Sequence, residues 1–427
     1  MNGLTLSRLD EFRKLKKVIR GSDEHLIVGI DVAKEKHNAF FGTATGSSLL
    51  RRLIFDNSRE GFEILTGRAR ALQIQAGLGQ VVFGMEPTAD YHKPLAEYLI
   101  TNGFNVVLVS AQAAKENRKT LDGRWDKNDT KDSANVTDLI SQGKFQYYDL
   151  PSPPIGELRN LLSLKRKLKK YEHSIRLRIK NHLVSQFFPE LDRYLGSQEV
   201  ENTAIVKWCL DPRKIAALEF EKFLRIVTTR NRGIGQRQRL QAIQEAARCS
   251  IGCAAGESVM FEARLLVDNL QTTRDSLVAT NARIGEVCHR LPGYAAVISI
   301  PGVGPAIAAT LLATIGDPHR FNNAREVIKL AGLDLSANRS GKYSDEATPR
   351  LSKKGNASLR YALYQAAVIA TSKNGYFVEY LTKIVQGRSR ERGIKSKMRV
   401  KVAAKILVIA WTLLKKGGKF QGEHLLG

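Results

Sequence analysis

The sequence predicts an α/β domain at the N-terminal end followed by a mostly α-helical remainder, and three observations carry that reading. From Glu24 onward, short runs of aliphatic and β-branched residues alternate with segments of helical spacing. Beyond the PSPP punctuation at residues 151–154 the chain turns to long charged segments whose apolar residues recur at spacings of three and four. From Leu291 it continues as shorter helical pieces set apart by Gly and Pro.

Taken in order, LIVGIDV (Leu26 to Val32) reads as a buried strand, and HNAFFG and LLRRLIF read as its partners, joined through Thr45, Gly46 and Ser47. REGFEILTGRARALQ has the spacing of a helix. QVVFGME (Gln80 to Glu86) is a strand, a helix is expected from about Tyr91 to Asn102, and NVVLVS (Asn105 to Ser110) is a further strand. Three successive strands, a crossover helix, a strand, a helix and a strand is the order of an RNase H-like (RuvC-like) fold. Residues 24–150 are assigned to this domain and residues 1–23 to an N-terminal extension.

Residues 151–290 are expected to form a coiled-coil linker with an inserted segment, and residues 291–427 a helical C-terminal domain. Leu161, Leu164, Leu168, Tyr171 and Ile175 make one candidate seam; Leu266, Leu270, Thr273, Leu277, Thr280, Ile284 and Val287 make the other. Residues 190–256, between the two arms, have no single periodicity.

Composition narrows the function. In 427 residues, 67 Lys+Arg face 42 Asp+Glu, a formal charge of +25 that attracts polyanions, because neutralising phosphates releases their counterions. Nucleic acid is the leading partner and a membrane surface trails. The most apolar long run, Ala295 to Gly316, is broken by Pro301, Gly302, Gly304 and Pro305 and reads as a buried core segment rather than a membrane span. With four cysteines and no signal-like apolar stretch before Glu24, a reducing cytoplasm is the expected compartment.

In so basic a chain the stretch DKNDTKDSA, residues 126–134, concentrates acids. Asp129 and Asp132 stand three apart at the start of an expected helix, where they project from one face or serve as N-cap and first-turn acid. Asp31 and Glu86 each follow a run of buried-strand residues. If those strands are neighbours, the four carboxylates converge, and such a cluster needs a counter-charge. Mg²⁺ or Mn²⁺ supplies it, since hard divalent ions take oxygen ligands and a pair of them flanks a phosphodiester.

The C-terminal third offers further contacts. SIPGVGPAIAATLLA has the form of a helix-hairpin-helix, in which Gly302 and Gly304 let backbone approach a phosphate at a helix N-terminus; a plain turn before a core helix is the alternative. Lys353 and Lys354 precede a Gly-Asn turn and a helix start, as phosphate contacts or as a solvated basic loop. In RSGK, Ser340 sits between Arg339 and Lys342, as a nucleophile near cations or as an ordinary Ser-Gly turn. Cys249, Cys253, Cys288 and His289 make a poor zinc set because the first spacing suits adjacent turns of a helix and no tight second pair exists. His92 reads as structural rather than as a proton shuttle, and residues 395–416 as a basic helix, on nucleic acid or on solvent.

GIDVAKEKH, GMEPTADYHKPLAEYL, KNDTKDSANVTDLI, SIPGVGPAIAATLLATIGD and the block from AGLDLSANRSGK to LSKKGNASLRYAL together resemble the bridge-RNA-guided DEDD transposases of insertion sequence family one-ten, relatives of the Piv DNA invertase. The resemblance covers the N-terminal domain and the C-terminal third in order. It implies a metal-binding tetrad of Asp31, Glu86, Asp129 and Asp132, and a nucleophilic serine at Ser340 that forms a covalent phosphoserine with DNA. It also implies a noncoding guide RNA, donor and target DNA, and a homodimer or homotetramer joined through the coils. Two positions depart from the family: Ala89 stands where glycine is usual and Ser133 where alanine is usual. The alternatives are a metal-dependent, resolvase-like DNA nuclease that uses water as nucleophile, and a non-catalytic nucleic-acid-binding protein.

Overall fold

Residues Met1–Leu150 and Pro151–Gly427 form separate units in the computed structural model, which describes residues 3–121, 129–194, 200–228, 233–336, 350–388 and 390–425. The first unit runs α1 (Gly3–Val18), β1 (His25–Asp31), β2 (Lys36–Thr43), β3 (Ser48–Asp56), α2 (Arg59–Gln75), β4 (Gln80–Met85), α3 (His92–Thr101), β5 (Asn105–Leu108), α4 (Ala111–Leu121), α5 (Asp129–Ser141) and β6 (Gln146–Tyr147). Its single sheet has the order β3-β2-β1-β4-β5-β6, with β1, β4 and β5 parallel and the other pairings antiparallel. The central strands β1 and β4 are apolar along almost their whole length because both faces are covered.

Side-chain alternation divides the core of this unit in two. Leu26, Val28 and Ile30 of β1 pack with Phe83, Phe62, Leu65, Leu95 and Leu99 on the α2–α3 face. Ile27, Val82 and Val107 pack with Val136, Leu139 and Ile140 of α5 on the other. Residues 1–23, expected as an extension, instead contribute to that second layer: Leu15 and Ile19 are buried in it. Polar contacts fix α1 there, with Lys16 Nζ donating to the Phe145 carbonyl at 2.5 Å and Arg8 to the Tyr148 carbonyl at 3.1 Å. Partial burial, with Arg20 nearby, holds the Lys16 ammonium below its usual pKa.

The second unit begins with α6 (Pro153–Arg178), which passes through a π-helical turn at Ile179–Val184 into α7 (Ser185–Phe187). Four helices follow: α8 (Val200–Trp208), α9 (Pro212–Ala216), α10 (Phe220–Val227) and α11 (Ile234–Arg248). The long α12 (Glu257–His289) leads to α13 (Tyr294–Ile298), α14 (Pro305–Ile315) and α15 (Ala324–Ala331). A short ribbon of β7 (Leu335–Ser336) and β8 (Arg350–Leu351) precedes α16 (Ala357–Lys373), α17 (Gly375–Val385) and α18 (Ile394–Lys416). Residues 190–256 therefore hold a helical cluster with its own core of Ile205, Leu210, Ile215, Phe223, Leu240 and Ile243, closed by Leu270 of α12.

Helices α6 and α12 run antiparallel along one another. Glu157 near the start of α6 meets Arg283 and Arg290 near the end of α12, each at 2.7 Å, while Arg178 at the end of α6 meets Glu262 near the start of α12 at 2.7 Å. The α12 seam is the one the spacing predicts, with Leu270, Thr273, Leu277, Thr280, Ile284 and Val287 buried. The α6 seam is not. Leu164 and Tyr171 are exposed, 45% and 50%, and Glu172, bonded to Lys169 and Arg274, is half-buried in the row that runs from Leu158 to Ile175. Leucine spacing includes Leu164 and Tyr171 wrongly because α6 carries apolar residues on two faces.

Residues 295–316 are core, as expected: Val297, Ala308, Ala309, Leu311, Leu312 and Ile315 join Leu363, Ala366, Ile406 and Leu407 in the largest cluster of the unit. The basic α18 turns Val402, Ala403, Ile406 and Leu407 inward and leaves Lys395, Lys397 and Lys401 exposed. No helix among the described residues is long and apolar enough to cross a membrane.

Candidate active site

Two glycines, side by side on adjacent strands, set the geometry of the acidic edge. Gly29 of β1 pairs in register with Gly84 of β4. A methyl group at Gly29 would collide with the Ser133 carbonyl oxygen and the Thr137 hydroxyl of α5, and one at Gly84 with the Ile140 side chain. At Gly29 glycine is required because a helix backbone lies directly on a strand backbone, whereas at Gly84 the space is taken by a packed side chain. Ser133 is fully buried in that contact, so the serine found where the related family has alanine is accommodated inside the α5–sheet interface.

Alternation carries the geometry two residues along. Asp31 is two residues beyond Gly29 and Glu86 two beyond Gly84, so both lie on the α5 side at the carboxyl ends of neighbouring parallel strands. Both are half-buried. Asp132 immediately precedes Ser133 on α5 and is 7% exposed. The structure thus gathers Asp31, Glu86 and Asp132 on one layer of the first unit. Asp129 begins α5, as its spacing predicts, but its side chain lies outside the described residues.

Asp132 has a cationic neighbour that spacing did not reveal. Arg118 Nη2 of α4 is 2.7 Å from Asp132 Oδ1, an ion pair by distance. The pair is out of line for a hydrogen bond, so Asp132 Oδ1 and Arg118 Nε remain without aligned partners. Helix α4 is clasped to α5 by Asn117, whose Nδ2 donates to Asn135 Oδ1 at 2.9 Å and Asp138 Oδ2 at 2.6 Å, while Asn135 donates to the Ala114 carbonyl at 2.8 Å. This clasp positions Arg118 over the acid. Among the described residues, no three His, Cys, Asp or Glu side chains stand together closely enough to hold a metal ion. The donors gathered at this edge are carboxylate oxygens, the class that hard divalent cations take.

A second residue missed in the sequence reading is Asn38. In β2 it pairs directly with Asp31, and residues opposite one another in an antiparallel pair point to the same face. It is 6% exposed, and neither Oδ1 nor Nδ2 has a hydrogen-bond partner. Alternation in HNAFFG separates Asn38 from Ala39 and Phe41, but the β1–β2 register, which only the fold fixes, sets it opposite Asp31.

The turn after Glu86 places Ala89 at φ +46°, a left-handed conformation in which glycine would be unstrained. His92, just beyond, is buried and packs edge-on against Tyr148 at 6.2 Å between centroids. Burial and the neighbouring Lys93 hold its imidazole below the usual histidine pKa.

In the second unit the two glycines of the PGVG turn differ in their reasons. Gly302 has φ +84°, and a methyl there would strike the Ala366 carbonyl and lie 2.9 Å from the Ala370 nitrogen of α16. Gly304 forms the N-cap of α14, and nothing lies within 4 Å of the place its methyl would occupy. Lys353 and Lys354 are exposed beside a pinned loop, with Lys353 at φ +53° and Ser352 Oγ donating to Asp334 Oδ1 at 2.6 Å. Ser340, Arg339 and Lys342 lie outside the described residues, as does Ser344. Cys249 and Cys253 do not share a helix: Cys249 ends α11, and Cys253 follows in a loop whose N–H bonds the Gln186 carbonyl at 3.0 Å. Cys288 is buried in the apolar core instead.

Comparison with known proteins matches residues 28–189 to a DEDD transposase domain and residues 294–382 to a domain of the transposase IS116/IS110/IS902 family. An uncharacterized 43.6 kDa protein of insertion element IS110 from Streptomyces coelicolor is 23% identical over 418 residues, 95% of this chain and 98% of that protein. A pilin gene-inverting protein of Moraxella lacunata is 26% identical over 159 residues, 36% of this chain and 48% of that protein. The transposase for insertion sequence element IS1111A of Coxiella burnetii is 31% identical over 137 residues, 31% of this chain and 34% of that protein.

Proposed function

Because the chain belongs to the IS110/IS116 family of insertion-sequence transposases, we propose that it cuts and rejoins donor and target DNA through a phosphoserine at Ser340, guided by a noncoding RNA. The observation that carries the acidic half of this reading is the placement of Asp31 and Glu86 on one face at the ends of paired parallel strands, with Asp132 on the helix laid over them. Asp31, Glu86, Asp129 and Asp132 would hold the divalent metal, Mg²⁺ or Mn²⁺, which supplies charge stabilisation at the phosphoryl oxygens and leaving oxygen. Arg118 then acts as the resident counter-charge that orients Asp132.

In the proposed step the Ser340 hydroxyl oxygen attacks phosphorus. A P–Oγ bond forms as the bond from phosphorus to one deoxyribose oxygen breaks; the serine proton passes to a base and the released sugar oxygen takes one up. Attack by another DNA hydroxyl on the phosphoserine reverses the exchange, restoring a phosphodiester and freeing Ser340 without an external energy source. Arg339 and Lys342 flank the nucleophile, and Gly304, Lys353 and Lys354 offer phosphate contacts at the starts of α14 and α16. Gly302 is assigned to packing. The +25 charge supports binding to both nucleic acids, and the α6–α12 pair is the proposed coiled-coil element that joins protomers into a dimer or tetramer, with Ser340 of one near the acids of another. The cytoplasm is the compartment in which such a reaction meets DNA.

The test is denaturing electrophoresis of protein with labelled DNA and guide RNA, followed by peptide mapping of any adduct. Asp132→Ala and Ser340→Ala are each expected to retain RNA binding and lose cleavage, and Ser340→Ala to lose the covalent adduct with it. Cleavage that persists in Ser340→Ala, with no adduct in the unaltered protein, would favour water as the nucleophile.

A further inference from the structure

We propose that Asn38 is a ligand of the acidic site, its amide oxygen contributing a neutral donor to the divalent cation held by Asp31. The proposal rests on the metal-site reading above and adds a residue to it. Three observations lead to it. Asn38 is the register partner of Asp31 and shares its face of the sheet. It is more than nine-tenths buried. Both polar atoms of its amide lack a hydrogen-bond partner, although in a folded protein nearly every buried amide has one.

An orphaned buried amide is unfavourable, and an apolar residue would remove that cost. The rest of β2 shows that the strand accepts apolar side chains: Ala39 and Phe41 are fully buried on its other face. A polar side chain in this buried place on the α5 side is accounted for if its partner arrives with the ligand. The amide suits the position chemically. An amide oxygen is a hard donor of the class that Mg²⁺, Mn²⁺ and Ca²⁺ accept, and it adds a ligand without adding to the repulsion among Asp31, Glu86 and Asp132. The Nδ2–H₂ group is left to donate to an anionic oxygen brought beside the cation.

Mn²⁺ binding to the full-length chain, followed by the EPR signal of the free ion, separates this role from a packing role. Asn38→Leu fills the same space without a donor. It is expected to fold with equal or greater thermal stability and to weaken Mn²⁺ binding about tenfold or more, the scale on which residues supporting metal ligands act. Asn38→Asp keeps the oxygen and adds charge, so its metal-free form is expected to melt lower while Mn²⁺ binds at least as tightly as to the parent. Unaltered Mn²⁺ affinity in Asn38→Leu, or weakened affinity in Asn38→Asp, would overturn the assignment. Asp31→Asn is the control for the underlying site: wild-type Mn²⁺ affinity in that variant rejects the carboxylate site itself, whereas its loss together with an unaffected Asn38→Leu rejects Asn38 alone.

Discussion

Both units of this protein use glycine to bring backbone against backbone, and they put the contact to different ends. In the first unit Gly29 and Gly84 let α5 settle on the sheet, and α5 is the helix that carries Asp129 and Asp132. The close contact there builds the candidate site. In the second unit Gly302 seats a turn against the alanine stripe Ala362, Ala366 and Ala370 of α16, and the contact is packing. Its neighbour Gly304, two residues on, has open space where a side chain would stand, which leaves it the candidate for the proposed phosphate contact. A glycine inside a nucleic-acid motif is therefore a candidate for ligand contact only where packing does not already require it.

Alanine substitutions break this comparison most directly. Gly302→Ala combines a left-handed conformation with a collision against fixed helix backbone, and an expected cost of about 3–5 kcal/mol follows from the two effects together. Hydrogen exchange should then show lost protection in α14 and α16 while the central strands β1 and β4 stay protected. Gly29→Ala meets backbone too, without the unfavourable φ, and about 3 kcal/mol is expected. Its signature differs: α5 must lift, so Mn²⁺ affinity should fall along with stability. Gly84→Ala meets side-chain atoms of Ile140 and Val107 rather than backbone, and should cost less, about 1–2 kcal/mol. A Gly29→Ala protein with unaltered Mn²⁺ binding would sever the link between close packing and the acidic edge.

The same contrast explains what could be read from the sequence. Strand order and the acids Asp31 and Glu86 were legible because they follow from local apolar runs whose endpoints are visible. The start of α5 at Asp129 was legible from its capping chemistry. Arg118 and Asn38 were not singled out, since each depends on which elements become neighbours: Arg118 on the α4–α5 clasp and Asn38 on the β1–β2 register. The α6 seam was misread because Leu164 and Tyr171 continue a leucine spacing on a face that α12 does not cover. Gly302 reads equally as a phosphate contact or a packing turn from the sequence, because motif and packing demand the same residue there.

Acid sharpens the comparison from another side, as a slope of stability with pH. The three buried histidines among the described residues, His25, His37 and His92, all belong to the first unit. Burial holds each imidazole below the ordinary value of 6.5. As pH falls through 6.5 the unfolded chain takes up protons that the folded chain resists, so stability is full above 6.5 and declines below it. The urea midpoint of the first unit should be lower at pH 5.5 than at pH 7.5, and His37→Gln should flatten part of that slope. Equal midpoints at the two pH values would mean that these rings are not held neutral by the fold.

The smallest effect is expected where one non-glycine residue in each unit sits left-handed beside a proposed site: Ala89 after Glu86, at φ +46°, and Lys353 before α16, at φ +53°. Left-handed backbone costs a residue with a Cβ about 1–2 kcal/mol, and replacement by glycine removes that strain. Glycine also enlarges the conformational freedom of the unfolded chain, which opposes the gain by about 0.4–1 kcal/mol. The net for Ala89→Gly is therefore a stabilisation of about 0.5 kcal/mol, a rise of about 1–2 °C in the melting temperature of a unit this size. Lys353→Gly should gain a similar amount while weakening nucleic-acid binding and flattening its salt dependence, because it also removes a cation. The two substitutions thus share a folding effect and differ in binding. A lower melting temperature in both would show that neither turn is strained, and unaltered salt dependence in Lys353→Gly would remove that lysine from the phosphate contacts.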